Sequence, residues 1–300
     1  MKNLEIYQVD AFTTEKFKGN PAGVVLNADG LTDQEMLSIA REMNNSETAF
    51  VFKPDGSDHD VKIRYFTPKT EVPVCGHATI AAHYVRAYEH KLNSSTVMQK
   101  IGIGILPVEI IRESKDYSIV MTQGNIEYYP SLLIQARNNI VDALGLIDDD
   151  LDQHCPIQIL STGHSKVMIG IKTRRKLNDL SPNMLALTEI SKAINCNGYF
   201  VFTLDSDQKD ILTHGRMFAP AIGINEDPVT GNANGPLGAY LVKHGLVKHN
   251  GSYFSFKGEQ GYAIGRSGIV NVTVNLENGE PKQIKIGGKA VIVFKTIIQI

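Results

Sequence analysis

Alternating apolar and polar positions predict strands near both ends of the chain. The alternation runs over residues 4–12 and 61–66, and residues 269–276 and 290–298 make the C-terminus strand-rich. A period of two places successive side chains on opposite faces of a sheet. Thr32 to Glu35 instead has the Thr-x-x-Glu capping-box pattern, which predicts a helix that begins there and runs through Arg41.

Two further helices are predicted to be buried. The helix over 78–89 has almost no polar residue in its first turns, so it has no face suited to solvent. The helix over 233–243 also begins with small residues. Because strands are predicted on either side of each helix, the pattern indicates an α+β protein.

The two halves of the sequence resemble each other at three places that occur in the same order. Segments roughly 150 residues apart match as follows: 19–25 with 163–169, 48–52 with 198–202, and 66–68 with 218–220. A glycine that precedes a predicted buried helix follows the last pair, Gly76 in the first half and Gly231 in the second. We therefore expect two pseudo-symmetric lobes.

The predicted boundary between the lobes lies near residue 126. Breaker residues at 124–130 are typical of a connection. The N-terminal lobe is predicted to comprise 1–126, with the last strand, about 288–300, returning to it. The C-terminal lobe is predicted to comprise 127–287.

Composition and charge exclude several classes of function. The chain has 300 residues, 42% of them apolar, and a formal net charge of −2. Binding to nucleic acid or to a membrane surface would require a basic footprint. The three cysteines are too few and too widely spaced for a disulfide framework, and no leader-like or membrane-spanning apolar run occurs. We expect a cytoplasmic protein.

The two helix-preceding glycines are the first candidates for chemistry. A helix N-terminus offers backbone N–H groups and a partial positive charge, which together bind anions. If the ends that follow Gly76 and Gly231 face one cleft, they would hold a substrate carboxylate and stabilise enolate-like charge. The alternative is that both glycines serve only helix packing.

Glu47 is the candidate for proton transfer, because it begins an apolar strand. Apolar surroundings are the setting in which proteins adapt carboxylates to acid–base catalysis. The matching position in the second half is Asn197, or Gly198 if the alignment moves by one, and neither transfers protons. The alternative is a strand-edge glutamate that points to water.

Three other residues are weaker candidates when taken singly. His77 begins a buried helix, Asp227 precedes a proline, and Cys75 lies beside a helix N-terminus, a position that activates thiols. Their structural alternatives are a hydrogen-bonding histidine, a turn aspartate and an inert buried cysteine. No dinucleotide, phosphate-loop, His-Glu-x-x-His or paired Cys-x-x-Cys motif occurs, so we expect no cofactor and no metal.

Ordered blocks along the whole chain resemble the PhzF-like phenazine-biosynthesis family, and especially its YddE-type bacterial members. The blocks are Asp10-Ala11-Phe12, Gly19-Asn20-Pro21, Arg41-Glu42-Met43-Asn44 with Ser46-Glu47-Thr48, Phe66-Thr67-Pro68, Gly76-His77, Phe218-Ala219-Pro220 and Glu226-Asp227-Pro228-Val229-Thr230-Gly231-Asn232-Ala233. The resemblance implies the diaminopimelate-epimerase-like fold, in which each lobe is a barrel-like mixed sheet around a central helix. It also implies a homodimer.

The resemblance further implies a cofactor-independent isomerase of a small unsaturated or carboxylate-bearing metabolite. Its catalytic residues fall on Glu47, His77 and Asp227. Substrate-binding positions fall on Asn20, Cys75, Gly76, Ala78, Thr230, Gly231, Asn232 and Ala233.

Two departures from the family's phenazine enzyme leave alternatives open. This chain has Asn232 where that enzyme has Ser, and an amide cannot relay a proton as a hydroxyl can. It has Cys75 where that enzyme has Ala, and Cys75 matches a catalytic cysteine of the related diaminopimelate epimerases, whose second cysteine falls on Thr230. The alternative function is an epimerase or dehydratase that uses Cys75 with Thr230. A third alternative is a non-catalytic small-molecule binding protein.

Overall fold

The computed structural model describes residues 2–300, which form two compact units. Unit 1 comprises the chain up to Thr122 together with Gly287–Ile300, and unit 2 comprises Gln123–Ile286. Both units combine strands with helices, which confirms the predicted α+β class. In the described part of the chain, no helix is long and apolar enough to cross a membrane.

Unit 1 contains the predicted N-terminal helices and the last strand. Its helices are α1 (Asp33–Met43) and α2 (Gly76–His90). Its strands are β1 (Asn3–Ala11), β2 (Asn20–Val25), β3 (Glu47–Phe52), β4 (Val61–Phe66), β5 (Glu71–Val72), β6 (Ser95–Ile101), β7 (Gly104–Glu113), β8 (Asp116–Thr122) and β18 (Ala290–Gln299). The capping box is present: the Thr32 hydroxyl accepts from the Glu35 N–H, and the Glu35 carboxylate accepts from the Thr32 N–H at 2.7 Å.

Unit 2 has more helices around a similar set of strands. Its helices are α3 (Ile134–Ala143), α4 (Arg174–Asn178), α5 (Met184–Ile194) and α6 (Gly231–Lys243). Its strands are β9 (Glu127–Tyr128), β10 (Gln158–Ser161), β11 (Lys166–Gly170), β12 (Tyr199–Thr203), β13 (Thr213–Ala219), β14 (Ile224–Asp227), β15 (Tyr253–Gln260), β16 (Gly268–Glu277) and β17 (Glu280–Gly288), whose last two residues belong to unit 1.

The two units repeat one strand topology. In unit 1 the pairs β1–β2, β3–β4 and β6–β7 are antiparallel, while β2–β3 and β4–β6 are parallel. In unit 2 the pairs β10–β11, β12–β13 and β15–β16 are antiparallel, while β11–β12 and β13–β15 are parallel. A short strand pairs antiparallel with the fourth strand in each case, β5 with β4 and β14 with β13. The matching sequence segments therefore belong to a repeated fold, and the predicted pseudo-symmetry is confirmed.

Each unit packs its strands around one buried helix. Helix α2 contacts β1, β2, β3, β7, β8 and β18, and α6 contacts β10, β15 and β16. Small residues permit this close packing. A Cβ atom added to Gly238 of α6 would lie 2.7 Å from Val274 Cγ2 and 2.9 Å from Val272 Cγ1, both on β16. A small residue at this position is thus required by the strand that faces it.

Candidate functional site

Glu47 lies at the first position of β3, where the buried sheet begins. It pairs in parallel register with Ala22 of β2, and the next residue, Thr48, is fully buried. The Glu47 side chain is 13% exposed. The strand therefore holds a carboxylate at the border between the apolar core and solvent.

His77, the second residue of α2, lies against this carboxylate. Its Nε2 atom is 3.3 Å from Glu47 Oε2 and 3.2 Å from Ser46 Oγ, and its side chain is 7% exposed. When Nε2 carries a proton, it donates to the carboxylate. When Nε2 is unprotonated, it accepts from the Ser46 hydroxyl. The same ring nitrogen can therefore serve Glu47 as a donor in one tautomer and Ser46 as an acceptor in the other.

Cys75 is the N-cap residue of α2 and lies next to the same imidazole. Its Sγ atom is 3.5 Å from His77 Nδ1 and 3.9 Å from Nε2. The Cys75 carbonyl accepts from the Thr79 hydroxyl at 2.6 Å, and the Tyr65 hydroxyl lies 2.6 Å from that Thr79 oxygen. Burial raises the pKa of Tyr65, so this hydroxyl stays protonated and keeps its hydrogen bond. The network fixes the backbone at Cys75.

The structure thus brings three predicted site residues together within unit 1. One ligand atom each from Glu47, Cys75 and His77 lies within 4.8 Å of the others. Gly76 and Ala78 occupy the first turn of α2 and are buried, and Asn20, at the start of β2, is fully buried.

Asp227 and Thr230 form a second cluster, within unit 2. Asp227 ends β14 and Thr230 is the N-cap residue of α6. The Thr230 hydroxyl donates a short hydrogen bond to Asp227 Oδ2. Because that hydroxyl proton is committed to the carboxylate, Asp227 serves as an acceptor.

Gln260 of β15 organises this second cluster, and sequence reasoning missed it. Its Nε2 donates to Thr230 Oγ1 at 3.0 Å and to the Asp227 carbonyl at 2.8 Å, while its Oε1 accepts from the Thr230 N–H at 3.0 Å. Asn234 Nδ2 donates to the same Oε1 at 3.0 Å. A lone glutamine in a strand pattern carries no local signal, so only the fold reveals its role.

Asn232 follows Gly231 in the first turn of α6. Its side-chain oxygen accepts from Gln123 Nε2 at 3.0 Å, and the same Nε2 donates to the Gly231 carbonyl at 3.1 Å. Ala233 is fully buried behind it. The side-chain NH₂ of Asn232 therefore acts as a donor, where a serine could donate or accept.

Lys166 of β11 is a further group that the sequence reasoning passed over. The side chain is buried, with the residue 2% exposed, and Nζ donates to the Ser165 carbonyl at 3.1 Å. Burial lowers the pKa of Lys166 to about 8, although Cys196 and Asp227 act in the opposite direction. The positive charge of Lys166 lowers the pKa of His164 to about 4, and burial of His164 is the second cause.

The strand register identifies the residue of unit 2 that corresponds to Glu47. In unit 1, Ala22 pairs with Glu47. In unit 2, Val167 pairs with Tyr199, so Lys166, which the sequence repeat aligns with Ala22, lies opposite Gly198. Gly198 is therefore the counterpart of Glu47, which settles the alignment that the sequence left open. A Cβ atom on Gly198 would lie 2.3 Å from Lys166 Cδ, so the lysine chain fills the space that a side chain would need.

The sequence profile of the phenazine biosynthesis-like protein family, PhzC-PhzF, matches residues 9–296. The chain is 57% identical over 296 residues to an uncharacterized isomerase of Clostridium acetobutylicum, with 99% of this chain and 98% of the relative covered. It is 50% identical over 290 residues to the uncharacterized isomerase YddE of Escherichia coli K12, with 97% and 96% covered. It is 31% identical over 288 residues to trans-2,3-dihydro-3-hydroxyanthranilate isomerase of Pseudomonas chlororaphis, with 94% and 95% covered.

Solved structures give the same family. A phenazine biosynthesis protein of the PhzF family from Bacillus anthracis superposes with a TM-score of 0.89 at 33% identity, with both chains covered completely. A hydroxyproline epimerase from Agrobacterium vitis superposes with a TM-score of 0.67 at 11% identity, covering 99% of this chain and 92% of the epimerase, which shows a shared fold alone. The chain belongs to the phenazine biosynthesis-like family. Relatives in this family are named isomerases, which confirms the predicted enzyme class.

Proposed function

We propose that this isomerase acts without a cofactor and transfers a proton through a single base, Glu47. One observation carries the proposal. A partly exposed carboxylate contacts an imidazole in unit 1, whereas the equivalent strand position of unit 2 is Gly198. Only one of the two repeated positions can therefore exchange a proton.

The chemistry assigned to Glu47 is a proton shift within one substrate. The carboxylate removes a proton from carbon, and the electron pair left behind delocalises into an adjoining double bond or carboxyl group. The resulting carboxylic acid returns the same proton to another carbon, so the enzyme ends the cycle unchanged. The His77 Nε2, 3.3 Å from Glu47 Oε2, is placed to orient the carboxylate and stabilise its charge.

The residues of unit 2 are assigned to binding. Asp227, which accepts from the Thr230 hydroxyl, is suited to accept a hydrogen bond from a substrate N–H or O–H group. Neither Cys75 nor Thr230 caps its helix with its side chain, so the N–H groups of both first turns are suited to a substrate carboxylate. The substrate we propose is a small unsaturated molecule that carries a carboxylate.

The first substrate to test is trans-2,3-dihydro-3-hydroxyanthranilate, which the Pseudomonas chlororaphis relative is named for. If it is not turned over, the same assay extends to other small unsaturated carboxylates. For a confirmed substrate, we expect Glu47→Gln to lower kcat/KM by about 100-fold to 10,000-fold, the range typical of losing a general acid–base group. Circular dichroism and thermal melting of the variant should match the unmodified protein.

A second candidate function is favoured by a specific contact. Cys75 Sγ lies 3.5 Å from His77 Nδ1, which could take its proton and make it a base for an epimerase or dehydratase that also uses Thr230. The variants separate the two functions. Single-base transfer predicts an active Cys75→Ala and an inactive Glu47→Gln, and the reverse result would select the thiol mechanism.

A further inference from the structure

We propose that Glu47, Cys75 and His77 also form a binding site for a thiophilic divalent cation, with Zn²⁺ as the best fit. The site would allow Zn²⁺ to inhibit the enzyme by capturing the proton-transfer group. Cation binding stands on the geometry of unit 1 alone, whereas inhibition rests on the proposed function of Glu47.

The three side chains supply a donor set typical of zinc. A thiolate, an imidazole and a carboxylate are the ligands that bind Zn²⁺ in proteins, and three protein ligands leave a fourth position for water or a substrate oxygen. A thiolate and a carboxylate would also balance the charge of the cation. By contrast, hard cations such as Mg²⁺ and Ca²⁺ prefer oxygen ligands throughout, so the thiol selects a softer ion.

The distances suit a tetrahedral ion. With ordinary zinc bond lengths, neighbouring nitrogen and oxygen ligands are about 3.3 Å apart, and nitrogen and sulfur ligands about 3.6 Å apart. The observed separations are 3.3 Å from His77 Nε2 to Glu47 Oε2 and 3.9 Å from His77 Nε2 to Cys75 Sγ. All three ligand atoms lie within 4.8 Å of one another. Because Cys75 Sγ lies nearer to Nδ1, at 3.5 Å, than to Nε2, at 3.9 Å, binding would need rotation of the Cys75 side chain toward Nε2 as well as rotation of the Glu47 side chain.

Surrounding contacts hold two of the ligands in place. The Thr79 hydroxyl and the Tyr65 hydroxyl fix the backbone of Cys75, and α2 fixes His77 two residues further on. Such outer contacts orient metal ligands.

The ligands of this site follow no metal motif in the sequence. Cys75 and His77 are close in the chain, but Glu47 reaches them only through the packing of α2 against β3. A cation bound here would occupy the carboxylate oxygen that faces His77. It would also withdraw the negative charge that makes Glu47 a base, so binding of the cation would oppose removal of a substrate proton.

The test uses Co²⁺ as a spectroscopic probe on the full-length protein after treatment with a chelator. We expect one equivalent of Co²⁺ to give a thiolate-to-cobalt charge-transfer band in the near ultraviolet and intense visible bands of a tetrahedral ion. Zn²⁺ should remove both sets of bands by displacement. Cys75→Ser and His77→Ala should abolish the charge-transfer band, and Glu47→Gln should weaken Co²⁺ binding at least tenfold.

Matched controls use residues of the same types outside the site. Cys155→Ser alters another buried cysteine. His59→Ala removes a histidine whose Nδ1 atom lies 2.7 Å from Asp58 Oδ1, a pair that contains a carboxylate and no thiol. Both variants should keep the full spectrum. Absence of the charge-transfer band in the unmodified protein, or its persistence in Cys75→Ser, would overturn the site.

Inhibition is measured separately. With a confirmed substrate, one equivalent of Zn²⁺ should lower turnover at least tenfold, and a chelator should restore it. If the cobalt bands appear but Zn²⁺ does not inhibit, the cation site is supported and the role of Glu47 in turnover is rejected. Inhibition of Cys75→Ser by the same Zn²⁺ concentration would show that Zn²⁺ acts elsewhere.

Discussion

Lys166 is a buried charge whose cost should be measurable. Its pKa is lowered to about 8, mainly by burial, from an ordinary value of 10.5. At pH 7 the folded protein therefore holds an ammonium group that would be better solvated in the unfolded chain. Replacement by Met, which has a similar shape without the charge, should stabilise the protein at pH 7 by about 3 kcal/mol, from about 1.4 kcal/mol per pKa unit.

The buried charge of Lys166 also makes stability depend on pH. Between pH 8 and pH 10.5 the unfolded lysine keeps its proton while the folded lysine loses it, so the unmodified protein gains stability as pH rises. The advantage of Lys166→Met should shrink across that window in chemical denaturation. Lys209→Met, at an exposed position, should show neither the gain nor its pH dependence.

His83 has an effect of the same sign at lower pH. Burial is the main cause that lowers its pKa to about 3, and the charge of Arg86 adds to it, while the hydrogen bond with Gln99 acts the other way. The folded form is neutral at a pH where the unfolded form binds a proton, so stability should fall as pH drops below 6.5. The loss should be about 1–2 kcal/mol between pH 6.5 and pH 5, because the unfolded imidazole is half protonated at its ordinary pKa of 6.5.

A matched pair of variants isolates this effect. His83→Gln should flatten the pH dependence of the free energy of unfolding in that window, whatever its cost at neutral pH. His154→Gln replaces a side chain that is 87% exposed and should leave the slope unchanged. Equal slopes in all three proteins would show that His83 titrates normally.

At the scale of elements, the contact of α6 with β16 should be sensitive to one methyl group. Gly238→Ala would place a Cβ atom 2.7 Å from Val274 Cγ2. Overpacking of this kind costs about 1–3 kcal/mol, which outweighs the better helix propensity of alanine. In a Val274→Ala background the same change should cost less, because one of the two clashing methyl groups is gone, while Val272 Cγ1 remains at 2.9 Å. Additive costs in the double variant would contradict the packing described here.

Local patterns in the sequence predicted the elements well. The strand over 61–66 has the predicted bounds, and the helix after Thr32 begins with its predicted capping box. Both depend on contacts between residues near each other in sequence. Residues 127 and 128 were instead assigned to a connection, yet they form a short strand because Tyr128 pairs with Leu160 of β10, far along the chain.

The site residues also divide into those that the sequence predicted and those that only the fold revealed. The resemblance pointed to Glu47 and His77, and the fold places them 3.3 Å apart. Gln260 and Lys166 carried no motif, since their roles come from partners in other elements. The repeat over 163–169 did align Lys166 with Ala22, which was the available signal. The catalytic roles themselves stay predictions that variants must test.

At the scale of the whole molecule, one topology occurs twice with different chemistry. Unit 1 has Glu47, Cys75 and His77 where unit 2 has Gly198, Thr230 and Asn232 in the repeated positions. A two-base epimerase needs a proton donor or acceptor on each face of its substrate. A carboxylate occupies this repeated position in unit 1 alone, which supports our proposal of a proton that leaves and returns on the same face.

The fate of that proton tests single-base transfer most directly. A confirmed substrate is converted in heavy water, and the product is analysed at low conversion by mass spectrometry and NMR. Our account predicts measurable protium at the receiving carbon, because Glu47 carries the substrate's own proton there before it exchanges with solvent. A full deuterium at that carbon from the first turnover, together with loss of activity in Cys75→Ala, would contradict the account and establish a two-base mechanism.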